Sequence, residues 1–138
     1  MQKNFKKYIL QTLAYFDIFD HPLTQEELFR YLYVAEVNLQ LNYTDFLLAL
    51  NKLVETTDLL ERNQGFYFLS GRKNIIQTRQ SRVKLVEEKM KIAVRGIKKI
   101  SQVPFVKAVF VCNTLGYGIV EEDSDIDVFI VIKKGRLF

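Results

Sequence analysis

The sequence predicts an α+β chain in which a helical N-terminal unit closing on a β-hairpin is followed by a long helix and a pair of strands. Three observations carry this. Apolar residues recur at helical spacing in three stretches before residue 57. One amphipathic pattern then runs without a proline over residues 75–103. After Pro104, two runs dense in β-branched and aromatic residues follow, Phe105–Cys112 and Val128–Ile132. The implied organisation is a first domain at 1–74, a basic amphipathic connector helix at 75–103 and a partial αβ sheet at 104–138.

The first helix is read from Ile9, Leu10, Leu13, Ala14 and Phe16, which fall on one stripe that stops in the turn-rich Asp17–Pro22 segment. Thr24-Gln25-Glu26-Glu27 has the form of a capping box, so a second helix begins there with Leu28, Leu32 and Phe29 turned inward. Thr44-Asp45 is a third start signal, and Phe46, Leu47, Leu50, Leu53 and Val54 repeat behind it at helical spacing. Leu59–Arg62, Asn63-Gln64-Gly65 and Phe66–Leu69 then read as strand, turn and strand. Three helices and a hairpin in this order are those of a winged helix-turn-helix, whose third helix spans roughly 44–56. That order suggests DNA as a partner. The third helix carries Asp45, Glu55 and one cation, Lys52, which suits a protein contact better than base reading.

The long helix places Ile76, Val83, Met90 and Ile97 seven apart, with Val86, Ala93 and Ile100 between them. Over about 40 Å this is a narrow stripe, interrupted by Arg79, and it is expected to pack on a sheet of the same molecule. Arg82, Lys84, Lys89, Lys91, Arg95, Lys98 and Lys99 stand on its other faces. Pro104 is expected to end it.

Charge is unevenly spread. The net +4 divides into 5 basic and 8 acidic residues over 1–60, 11 and 3 over 61–104, and 4 and 5 over 105–138. A polyanion would feel the basic middle first, although a solvated helix face is the simpler reading. One Cys excludes a disulfide framework, and one His excludes a His-rich metal site. Asp17 and Asp20 interrupt the early apolar run, no small-residue cleavage site follows, and no apolar run is long enough to span a bilayer. A cytoplasmic protein with no membrane partner is the expectation.

The chemistry-bearing residues lie near the C-terminus. Asp125 and Asp127 stand two apart at the mouth of an apolar strand, so alternation turns both carboxylates the same way and Ile126 the other. Two adjacent carboxylates repel unless a divalent cation lies between them, and hard oxygen ligands suit Mg²⁺ or Mn²⁺. Cys112 is read as a core thiol and His21 as a turn residue.

A strand, the small polar pair Asn113-Thr114, ten residues ending in Ser124 and then Asp125-Ile126-Asp127-Val128 resembles the DNA polymerase beta-like nucleotidyltransferase superfamily. The family pattern is a hydrophobic residue, Gly, Gly or Ser, nine to thirteen residues, then Asp, a hydrophobic residue, Asp or Glu, and a hydrophobic residue. More loosely, Phe16–Thr24 and the winged helix resemble the N-terminal half of bacterial proteins that carry such a domain. The resemblance implies Mg²⁺-dependent transfer of a nucleoside monophosphate from a nucleoside triphosphate to an acceptor hydroxyl. It implies Asp125 and Asp127 as metal ligands and Asn113, Thr114 and Ser124 as nucleotide contacts. Asn113 stands where the family has Gly, and the family's third carboxylate, on a later strand, falls beyond Phe138. Weak or no catalysis by this chain is therefore expected. A winged-helix DNA-binding regulator, or an antitoxin-like partner on a degenerate nucleotidyltransferase scaffold, is the alternative reading.

Overall fold

In the computed structural model, which describes residues 4–34 and 41–136, the fold is mixed α+β, with five helices and two small antiparallel sheets among those residues. The chain divides into two units, 1–79 and 80–138.

In the first unit, α1 (Phe5–Asp17) starts at Asn4, whose side chain accepts the Lys7 N–H. It buries Phe5, Tyr8, Ile9, Thr12, Leu13 and Phe16, the stripe that its spacing requires. Thr24 then serves twice. It lies in β1 (Leu23–Thr24) and caps α2 (Gln25–Arg30): its hydroxyl accepts the Glu27 N–H at 3.3 Å, and Glu27 Oε2 accepts the Thr24 N–H at 2.8 Å. The third helix, α3 (Tyr43–Thr56), starts one residue earlier than Thr44-Asp45 suggests, because Asn42 Oδ1 accepts the Thr44 N–H. Phe46, Leu50 and Leu53 are buried, and Phe46 meets the Phe5 and Phe29 rings.

The hairpin of β2 (Leu60–Asn63) and β3 (Phe66–Leu69) forms, its first strand one residue later than Leu59–Arg62 because Asn63 pairs with Phe66 instead of joining the turn, in the register Leu60↔Leu69 to Asn63↔Phe66. Gln64 (φ 52°) and Gly65 (φ 81°) both take positive φ, as a two-residue turn that matches strand twist requires. Gly65→Ala is expected to cost about 1–2 kcal/mol from backbone strain alone, since nothing lies within 4 Å of an added Cβ. Chemical denaturation checks this. Sequence periodicity did not reveal β1, because two residues show none. It pairs antiparallel with β3, giving the sheet order β1-β3-β2.

The long helix α4 (Ile75–Ile100) belongs to both units. Ile75 and Ile76 pack against Phe68 in the first. Arg79, an interruption in the apolar stripe, turns out to be a hub. It makes a two-pronged contact with Glu27 (2.7 and 2.8 Å), donates to the Pro22 carbonyl and to His21 Nε2 (3.2 Å), and lies over the Phe66 ring.

In the second unit, Leu85, Val86, Met90 and Ala93 of α4 pack with Val111, Leu115, Val120 and Ile126. The seven-residue stripe is not buried along its whole length: Val83 is 55% exposed. The helix also stops four residues before Pro104. Ser101, Gln102 and Val103 donate to the carbonyls of Ile97, Lys99 and Ile100, which closes the helix with tight turns. The two strands, β4 (Val106–Val111) and β5 (Val128–Ile132), pair antiparallel with an irregularity between Val106 and Ala108. They are less buried than their composition suggests. The cross-strand partners Phe110 and Phe129 are 56% and 63% exposed and Ile130 is 41% exposed, while Val111 packs with the core that Ala93 of α4 joins. No helix among the described residues is long and apolar enough to cross a membrane.

Candidate functional site

The site is built by the end of β4 and the approach to β5. The last ladder pair is Val111↔Val128, and the Cys112 N–H extends the pairing by donating to the Asp127 carbonyl at 3.1 Å. That extra bond sets Asn113 beside Asp127, and Asn113 Nδ2 donates to Asp127 Oδ2 at 3.0 Å. Asn113 opens the five-residue helix α5 (Asn113–Tyr117) in place of a plain turn. Its φ of 55° is in the left-handed region, which Asn tolerates better than most side chains. Gly118 closes α5 at φ 72°.

Asp125 and Asp127 stand just outside β5, which begins at Val128. Both are exposed, whereas Ile126 between them packs against the core of Ala93, Leu115 and Val120. Thr114 is exposed next to Asn113. Ser124 is employed differently: its hydroxyl accepts the Glu121 N–H at 2.8 Å while its own N–H donates to the Glu121 carbonyl, closing the acidic turn. The structure thus brings Asn113 and Asp127 into direct contact and binds the Ser124 hydroxyl within its own loop.

One residue of this region escaped sequence reasoning. Lys89, read as part of a solvated face, is 9% exposed, and its ammonium donates to the carbonyls of Glu122 (2.9 Å) and Ser124 (2.5 Å). It ties the acidic loop to α4, where Arg82 also approaches Glu121 at 3.7 Å. The sequence did hold the signal: Lys89 is three residues after Val86 and four before Ala93, on their side of the helix.

As donors, Asp125 and Asp127 are hard oxygen ligands on an open edge. They fit a cation such as Mg²⁺, which keeps water and substrate phosphate in the rest of its shell. Among the described residues, no group of three or more His, Cys, Asp or Glu side chains gathers as a metal cage. Comparison of the chain with protein-family models, curated proteins and solved structures finds no match.

Proposed function

We propose that the second unit binds a metal–nucleoside triphosphate in the manner of the DNA polymerase beta-like nucleotidyltransferases. The carrying observation is the Asn113–Asp127 hydrogen bond, which sets the residues after β4 against the acids before β5. Exposure of Asp125 and Asp127 on either side of the packed Ile126 supports a shared outward direction for the two carboxylates. When bound, a divalent ion would supply charge neutralisation at the triphosphate and a lowered pKa at an acceptor hydroxyl. Asp125 and Asp127 hold it, and Thr114 offers an exposed hydroxyl to the phosphates. Asn113 orients Asp127. The Asn113 amide also engages a carboxylate oxygen that a metal would need, and this favours a second reading: a nucleotide-binding or regulatory scaffold with little transferase activity.

For the first unit, the order α1-β1-α2-α3-β2-β3 with sheet order β1-β3-β2 supports a winged helix-turn-helix. The outer side of its α3 presents Asp45, Leu48, Lys52 and Glu55, all exposed, which favours a protein contact over base reading.

Calorimetric titration with Mg²⁺ and each nucleoside triphosphate tests the site. A saturable heat is expected that vanishes with chelator. Binding is expected to weaken at least tenfold in Asp125→Ala/Asp127→Ala and to change less than threefold in Ser124→Ala, whose hydroxyl is already bonded. An unchanged heat in the double variant refutes the assignment. Binding without transfer to any acceptor selects the regulatory reading.

A further inference from the structure

We infer that the outward face of α4 docks the phosphate backbone of duplex nucleic acid. At about 100° per residue, Lys84, Lys91, Arg95, Lys98 and Lys99 fall within one sector roughly 100° wide. That sector lies opposite Val86, Met90 and Ala93, which face the core of the second unit. All five cations are exposed, and none forms an ion pair with a described residue. Glu88 falls inside this sector and Glu87 at its edge, so the face is mixed in charge near Lys84, but no acid interrupts it from Lys91 to Lys99. Gly96 lowers the surface between Ile92 and Lys99, leaving a shallow depression edged by Arg95, Lys98 and Lys99.

The acidic loop at 121–124 is tied away from this row. Glu121 faces Arg82, and the carbonyls of Glu122 and Ser124 bind Lys89. Arg82 and Lys89 border the buried stripe, so the acidic loop lies across the helix from the basic row. The row rises about 22 Å along α4. Over that length a duplex presents about a dozen phosphate charges, a linear density that no ordinary acidic protein surface matches. An anionic membrane fits less well. A helix lying in a bilayer surface turns a broad apolar face outward, and here that face is spent on the core, leaving Ile92 and Val94 on opposite edges of the row. The inference does not depend on the nucleotide site, because the cations and Asp125/Asp127 are separate residues.

The test is fluorescence anisotropy of the full chain with a labelled 20-base-pair DNA duplex and an RNA duplex of the same sequence, from 50 to 200 mM salt. Binding to one or both is expected, with log K falling against log salt at a slope of about −4.5 for five neutralised phosphates. Which duplex binds identifies the source of the backbone. Lys91→Glu/Arg95→Glu/Lys98→Glu is expected to weaken binding at least 100-fold. The milder Lys91→Gln/Arg95→Gln/Lys98→Gln, checked for an unchanged helical circular dichroism signal, is expected to weaken it at least tenfold. Lys52→Glu on α3 should stay within twofold of the parent. No binding to either duplex at 50 mM salt overturns the inference. So does an α4 glutamine variant within twofold of the parent, or binding to phosphatidylserine vesicles without binding to either duplex.

Discussion

Arg79→Met is expected to lower the stability of the first unit by about 2–4 kcal/mol. Removing one partner of a buried ion pair costs about 3–5 kcal/mol because the other is left charged and unpaired. The lower end applies here, since the Arg79 and Glu27 side chains keep 17% and 29% of their exposure. The substitution strips Glu27 of two hydrogen bonds and the Pro22 carbonyl of its donor, while Met keeps the apolar stem over Phe66. The same contact sets a pH dependence. Burial pushes the Glu27 carboxyl upward, but hydrogen bonds from Arg79 and from the Thr24 amide, with the Arg79 charge, outweigh it and leave the group below its ordinary value of 4.5. A carboxylate lowered by folding adds stability that is fully present above 4.5 and fades as pH falls through the lower folded value. Thermal melts from pH 7 down to pH 3 should therefore show a steeper acid-side loss in the parent than in Glu27→Gln. Parallel curves, or an Arg79→Met variant within 0.5 kcal/mol of the parent (about the effect of an ordinary surface substitution), would refute the role given to this pair.

Lys89→Met should release the acidic loop and weaken the proposed metal–triphosphate site behind it. A hydrogen bond to a charged group contributes about 1.5–3 kcal/mol. The Glu122 and Ser124 carbonyls lie in a partly exposed loop and regain water when the ammonium goes. A net loss of about 1.5–3 kcal/mol is expected in the second unit. The sharper readout is local. Amide hydrogen exchange across residues 121–127 should speed up at least tenfold, and the Mg²⁺–triphosphate affinity should fall by a similar factor. The methionine stem preserves the packing between Val86 and Ala93, so a general collapse of α4 is not the expected outcome, and circular dichroism checks that. Unchanged exchange at these amides would show that the loop holds its shape without Lys89.

Much of this architecture could be read before any coordinates. Capping by Thr24 and Glu27, the Gly-containing turn within Asn63-Gln64-Gly65 and the helical spacing of Phe46, Leu50 and Leu53 each act within four residues, so residue order alone displays them. The candidate acids Asp125 and Asp127 and the polar Asn113-Thr114 pair were visible for the same reason. Contacts between distant residues were not. Arg79 meets Glu27 across 52 positions, and Lys89 reaches Ser124 across 35. A helical wheel puts both cations beside apolar positions of α4, but it does not name the distant partner that each one reaches. The exposed Phe110 and Phe129 misled in the opposite sense: a run of apolar residues reports a liking for burial, not whether anything covers the second face of the sheet.

Local order in the chain therefore specified the helices, the hairpin, the caps and the chemical types at the candidate site, because propensity, capping and turn geometry are short-range. Folding in three dimensions decided which cations became anchors, that Asn113 grips Asp127, and that the 121–124 loop is tied to Arg82 and Lys89, across the helix from the exposed row of Lys84 to Lys99. Those outcomes depend on which distant surfaces bury each other, and burial is set by the whole packed unit.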